Sequence, residues 1–175
     1  KFLNFKEIFI YSSNIGSALI ALNLGKERQT YYFNKLKLDT ILDTGIPEVQ
    51  YPLIQESNRD IHIATKSYGH GISVSPLNAI AALNATVNDG KFVEPLFVID
   101  KKYYDRPHIN VFKKNVSNIM RELYRDVVEN EEGTAKKVRS EHYIVGGKTG
   151  TAIKVVDGVY NHKKVVSSFI SFLPI

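Results

Sequence analysis

The residues best equipped for chemistry in this chain form one run, Gly146-Gly147-Lys148-Thr149-Gly150-Thr151, set between Tyr143 and Val156. A lysine among glycines and threonines suits either of two tasks. One is to cradle a phosphate, as the tail of a nucleotide-binding loop. That loop needs a glycine five residues before the Gly-Lys pair and a helix directly after it. Position 142 is His142, and the residues after Thr149 read as a strand, so both requirements fail. The other task is to hold an extended ligand. Side chains alternate along a strand, which puts Lys148 and Gly150 on one face. An ammonium then stands beside a bare backbone ledge, and Thr149 or Thr151 can add a hydroxyl. This suits a peptide with a terminal carboxylate, bound by strand-like pairing and a charge-assisted bond. For the run by itself, a glycine-rich strand with a solvated lysine is the simpler reading.

The elements that must position this run are partly legible. Residues 1–11 are short, apolar and aromatic. Ser12-Ser13-Asn14 precedes a helical pattern through Ile15, Leu19, Leu22 and Leu24, with Ser13 or Asn14 as N-cap and Gly25 as the interruption. A second helix is expected over Lys26–Leu38, with Tyr32, Leu36 and Phe33 inward. Residues 43–60, with Pro47 and Pro52, read as a loop. The clearest helix covers 75–90: Ser75 caps it, Pro76 takes the first helical position and Gly90 ends it. Leu77, Ile80, Leu83 and Val87, beside Ala81, are its expected buried stripe. Another helix is expected from Asn110 to Glu129, carried by Val116, Ile119, Met120, Leu123 and Val127, with Ser117 and Asn118 exposed. Tyr143–Val145 and Ala152–Val156 are strand-like, and Asp157-Gly158 signals a hairpin turn. Val166, Ile170 and Phe172 on one face, and Phe169 and Leu173 on the other, predict a strand covered on both sides.

Composition bounds the class. A chain of 175 residues, 43% hydrophobic and 23% charged, fits one globular domain. The net charge of +5 comes with scattered Lys-Lys pairs rather than a massed patch, which argues against nucleic-acid binding. There is no cysteine, so disulfide and thiol chemistry are excluded. The five histidines show no metal-ligand spacing, and no metal or cofactor is expected. No apolar run approaches the roughly 18 residues that span a bilayer. The chain starts on Lys1 and ends on an apolar stretch at Ile175, and is expected to be a piece of a longer protein.

Further segments fall into an order with the lysine run. They are Tyr11-Ser12-Ser13-Asn14-Ile15-Gly16, Thr44-Gly45-Ile46-Pro47, Gly69-His70-Gly71 before Ser75-Pro76-Leu77, and the stretch 133–138, GTAKKV. As an ordered set they resemble the transpeptidase domain of class B penicillin-binding proteins, the division-specific branch most of all. The resemblance implies an α+β fold of the penicillin-binding protein and β-lactamase type, helices with antiparallel strands, truncated at both ends. Residues 1–175 would be the C-terminal part of that domain, from Ser-x-Asn through the strand after Lys-Thr-Gly.

It also implies a peptidoglycan D,D-transpeptidase that cross-links cell-wall stem peptides through a serine acyl-enzyme and is trapped by β-lactams. Carried over residue by residue, Ser12 would relay a proton toward the leaving amine and Asn14 would hold the substrate amide. Lys148 would tune Ser12 and, with the Thr149 hydroxyl, bind the terminal carboxylate. Gly150 would leave room, and the Thr151 N–H would form half of an oxyanion hole. Location on the periplasmic face, an inner-membrane anchor outside this chain and cell-division membrane proteins as partners follow from the resemblance alone.

One element of the family pattern is missing: no serine here has a lysine three positions later. The nucleophile is therefore expected outside these residues, the chain by itself is expected to be inactive, and its hairpin is expected to leave it self-associating or marginally stable. A β-lactamase-like hydrolase is the rival enzyme, although its middle motif carries Asp where Ser13 stands. A non-catalytic binding module on the same fold is the third reading.

Overall fold

Signals at element ends account for most of the helices. The computed structural model describes residues 2–54, 59–99, 106–156 and 159–173. Helix α1, Phe5–Ile10, opens on a capping box: Asn4 accepts from the Glu7 N–H, and the Glu7 carboxylate accepts from the Asn4 N–H, both at 2.9 Å. Helix α2 spans Asn14–Leu24, with Ser13 rather than Asn14 as cap, its Oγ accepting from the Gly16 N–H at 3.2 Å. Gly25 separates it from α3, Lys26–Lys35. The stretch read as a loop holds strand β1, Leu53–Ile54, and runs into α4, Asp60–Lys66. Strand β2, Ile72–Ser73, pairs with β1. Helix α5, Pro76–Val87, is capped at its start as expected, Ser75 Oγ accepting from the Asn78 N–H at 3.1 Å, but ends on Asn88 rather than at Gly90. Strands β3, Lys91–Phe92, and β4, Ile109–Asn110, pair antiparallel. Helix α6 therefore begins at Lys114 rather than Asn110, and runs to Glu129.

Where length suggests one domain, the described residues divide into two compact units. The unit from Ala18 to Met120 has a core of Leu42, Ala81, Ala85 and Phe92, edged by Leu36, Leu77, Ile109 and Val111. The buried face of α5 is Asn78, Ala81, Ala82 and Ala85; of the expected stripe Ala81 is buried and Leu77 edges the core, whereas Leu83 and Val87 are half-buried and Ile80 is 52% exposed. Alanines let the helix approach its neighbours closely, and Asn78 fixes that approach. Its side-chain amide donates to the carbonyls of Lys37 and Thr40 at 2.7 and 3.1 Å. Ser117 is likewise buried rather than exposed, because its hydroxyl donates to the Thr86 carbonyl at 2.9 Å.

The second unit joins residues up to Ser17 to those from Arg121 onward. Val127, Val128 and Ala135 form its core, with Phe9 and Val145 against it. Phe9 meets Tyr124 edge-on at 5.2 Å, and Tyr124 meets Phe172 edge-on at 5.3 Å. Three elements are thereby joined: α1, α6 and strand β6, Val159–Phe172. Each such ring pair adds about 0.5–1.5 kcal/mol beyond area burial. β6 pairs antiparallel with β5, Gly146–Val156, from Gly146↔Phe172 to Val156↔Val159. Tyr143–Val145 lie before the strand rather than in it, and the Asp157-Gly158 turn lies outside the described residues. The expected cover on both faces of β6 is incomplete among the described residues: Phe172 packs on Tyr124, but Val165 and Val166 are each 48% exposed, and Leu173 is 55% exposed.

Candidate active site around Lys148

Lys148 lies in the regular part of β5, opposite Ile170. Its neighbours on that face are Gly146 and Gly150, opposite Phe172 and Ser168. The strand setting expected for the glycine-rich run is therefore observed, and the strand continues past Thr149 to Val156, where a phosphate loop would need a helix. A Cβ built on Gly147 would come within 2.6 Å of both the Ile170 carbonyl oxygen and the Phe169 ring. A Cβ on Gly150 would meet only the Ser168 hydroxyl, at 2.6 Å. Gly147 is thus required by packing, whereas Gly150 keeps the ledge beside Lys148 bare.

The Lys148 ammonium donates to Ser12 Oγ at 2.7 Å, although 136 positions separate the two, and to the Thr149 carbonyl at 3.2 Å. Both acceptors are neutral. An ammonium has three donors, so one N–H remains for a ligand. Burial pushes the Lys148 pKa below the usual lysine range, because a charge removed from water is costly to maintain. Among the described residues no carboxylate offsets that cost, which makes the position receptive to an anion.

Ser12 reaches Lys148 from the turn between α1 and α2. Its φ is 55°, left-handed backbone that ordinary residues avoid. The turn is tight because α2 lies close against α1: a Cβ on Gly16 would fall 2.6 Å from the Ile8 side chain. Asn14, the first residue of α2, is exposed two positions on. Thr149 donates its hydroxyl to Thr134 Oγ1 at 2.8 Å, and Thr151 is exposed opposite Ser167. The structure thus brings Ser12 to Lys148. Sequence reasoning gave Thr134 no role; the available signal was its place in the stretch 133–138. Tyr11 and Glu132 were missed as well. The Tyr11 hydroxyl donates to the Glu132 carboxylate, which holds the phenol protonated and pushes its pKa up to about 12. Among the described residues no group of three His, Asp or Glu side chains gathers that could hold a metal ion.

Comparison with known proteins gives these positions a context. The family model described as the penicillin binding protein transpeptidase domain matches residues 1–175. The chain is 35% identical to the probable peptidoglycan D,D-transpeptidase FtsI of Caulobacter vibrioides, over 98% of this chain and 30% of that protein. It resembles the apo transpeptidase domain of Burkholderia pseudomallei penicillin-binding protein 3 with a TM-score of 0.87 and 30% identity, covering 99% of this chain and 53% of that one. Its fold also matches Mycobacterium tuberculosis penicillin-binding protein 3 complexed with aztreonam, with a TM-score of 0.87 and 24% identity, over 96% of this chain and 41% of that one. The chain thus spans about 30% of the length of the Caulobacter relative.

Proposed function

Because the chain belongs to the penicillin-binding protein transpeptidase family, we propose that it carries the Lys-Thr-Gly and Ser-x-Asn parts of a serine D,D-transpeptidase site. The substrate is a cell-wall stem peptide with a terminal carboxylate, and β-lactams are its mimics. The observation that carries this reading is the 2.7 Å hydrogen bond from Lys148 to Ser12.

The chemistry follows from that contact. An ammonium that donates to Ser12 Oγ leaves the hydroxyl proton free to be donated onward. Ser12 can therefore pass its proton to the leaving amine and take another from the Lys148 ammonium, while the serine nucleophile, supplied from outside these residues with the base that takes its proton, attacks the peptide carbonyl. The amine then departs and an ester remains. A second peptide's amine attacks that ester, gives up its proton through Ser12 to Lys148 and forms an amide as the ester C–O bond breaks, and the nucleophile's base returns a proton to the freed serine oxygen. The remaining Lys148 N–H receives the substrate carboxylate together with the Thr149 hydroxyl, which turns to it from Thr134, and Asn14 binds the substrate amide. Gly150 leaves the ledge open for the ligand backbone. The Thr151 N–H serves the oxyanion, a donor typically worth about 2.7–4 kcal/mol because it meets charge that grows in the transition state. With the family come an extracytoplasmic position, an inner-membrane anchor outside this chain and cell-division membrane proteins as partners.

Labelled penicillin tests the reading. It should acylate the full-length protein with one label per molecule and leave the 175-residue chain unlabelled. A full-length protein that takes no label, or that turns over a chromogenic β-lactam instead of holding it, would refute the assignment.

A further inference from the structure

Ser12 occupies a conformation that its own side chain disfavours. It is exposed, its φ is 55°, and its N–H reaches the Phe9 carbonyl only at 3.3 Å. Backbone of this kind persists where the surroundings over-determine it. The residue just before it supplies a restraint. Tyr11 closes α1, donating its N–H to the Glu7 carbonyl at 2.9 Å, and its hydroxyl donates to Glu132.

Glu132 stands on a braced segment. Its N–H donates to Asn130 Oδ1 at 2.9 Å, and the Gly133 N–H donates to the Asn130 carbonyl at 2.9 Å. Arg139 donates to the Glu131 carboxylate at 2.9 Å and to the Glu129 carbonyl at 2.7 Å, while Lys136 donates to the Glu131 carbonyl at 2.8 Å. Two residues beyond Glu132, Thr134 receives the Thr149 hydroxyl. One bond therefore ties the turn bearing Ser12 to the segment bearing Thr134, and each of these contacts a residue of the Lys148-Thr149 pair.

We propose that the Tyr11–Glu132 hydrogen bond is a latch that holds the Ser12 turn against Lys148, which makes Tyr11 and Glu132 positioning residues for the acylation step. The proposal rests on the roles given to Ser12 and Lys148 above. Neither latch residue touches the reacting atoms. The charged groups around the latch are Glu7 on α1 and Glu131, Lys136 and Arg139 on the braced segment. Each of them stays in place when Tyr11 loses only its hydroxyl.

The test uses Tyr11→Phe, Glu132→Leu, Glu132→Gln and the double variant Tyr11→Phe/Glu132→Leu, in the full-length protein and in the 175-residue chain. Misplacement of a reacting group by about 1 Å costs on the order of 100-fold. Tyr11→Phe and Glu132→Leu should accordingly slow the acylation step by roughly 10-fold to 100-fold, with the dissociation constant of the pre-acylation complex within about twofold of the parent's. Glu132→Gln keeps an acceptor and should recover most of the rate. The double variant should be no slower than either single one, because both remove the same bond.

A readout independent of acylation is the Lys148 titration, followed by carbon-13 NMR of its Cε. A loosened turn admits water, so the midpoint should rise in Tyr11→Phe and Glu132→Leu and stay near the parent's in Glu132→Gln. An unmoved midpoint in the first two overturns the latch, as does a double variant whose loss is the product of the singles. If the parent itself takes no penicillin, the catalytic reading fails. The Lys148 midpoint then decides the latch alone, a rise supporting it and no change overturning it.

Discussion

Ser12 carries two demands that pull in opposite directions, and substitutions can separate them. Its hydroxyl is needed opposite Lys148, while its φ of 55° favours glycine. Ser12→Gly removes the hydroxyl and relieves the backbone. Ser12→Ala removes the hydroxyl and keeps the strain. Ser12→Thr keeps a hydroxyl but adds a β-branch that left-handed backbone tolerates poorly. An L-residue in this region costs about 1–2 kcal/mol, and glycine returns about 0.4–1 kcal/mol of this as extra freedom in the unfolded chain. The net advantage of Gly over Ala is therefore about 1 kcal/mol.

The bond to the ammonium would contribute about 1.5–3 kcal/mol if buried, but Ser12 is exposed, so a loss nearer 1 kcal/mol is expected. Ser12→Gly should then unfold near the parent's denaturant midpoint, and Ser12→Ala about 1 kcal/mol earlier, equivalent to roughly 2–4 °C for a chain of this size. Ser12→Thr should be no more stable than Ser12→Ala. In the full-length protein the order changes. Ser12→Gly and Ser12→Ala should lose penicillin acylation by on the order of 100-fold or more, the usual contribution of a positioned proton relay. Ser12→Thr should retain more. Urea unfolding of the chain and stopped-flow acylation of the full-length protein supply the two rankings. Equal stability of the Gly and Ala variants, or parental acylation by the Gly variant, would refute the reasoning.

Burial lowers the Lys148 pKa, so below that lowered value its charge opposes folding. Between the lowered value and the usual lysine value of about 10.4, the unfolded chain binds more protons, and stability should rise with pH across that window. A carbon-13 titration that put Lys148 at or above the usual value would contradict this. Gly150→Ala should cost under about 1 kcal/mol, because the Ser168 hydroxyl can rotate away, yet should weaken penicillin binding by filling the ledge. Gly147→Ala presses on the backbone at Ile170 and should cost about 1–3 kcal/mol, read from the urea midpoint. The exposed Val165, Val166 and Leu173 should make the 175-residue chain self-associate in light scattering, and Val165→Thr with Val166→Thr should reduce that association.

What the sequence disclosed divides by physical range. The cap at Ser75, the proline after it and the break at Gly25 are local chemistry, and they are observed as read. Helix α1 is too short for periodicity, and its only local signal is the Asn-x-x-Glu capping box of Asn4 and Glu7. The stripe on α5 is only partly legible: Ala81 and Leu77 face the core as expected, but close packing and the Asn78 bridges turn Ala82 and Ala85 inward and leave Ile80 exposed. Strands of two residues, such as β1 and β3, exist only through distant partners, so no local pattern announces them. The Ser12–Lys148 contact is equally invisible to periodicity, and it was reached only because the motifs occur in a recognisable order. Nothing in the spacing of Tyr11 and Glu132 marks them as neighbours, for their pairing depends on how the segment after α6 folds back.

The irregularity in β5–β6 has a consequence for engineering. Up to Ile153 the strands pair residue for residue, and then the partner jumps from Val165 to Asn161. A strand frame is normally conserved along its whole length, since a one-residue slip turns every side chain over. Here the frame is reset at Ile153, so additions or deletions farther out need not be transmitted inward. A reporter peptide spliced into that distal arm should leave the ammonium of Lys148 aimed as before, making the arm a handle by which the protein can be labelled or tethered.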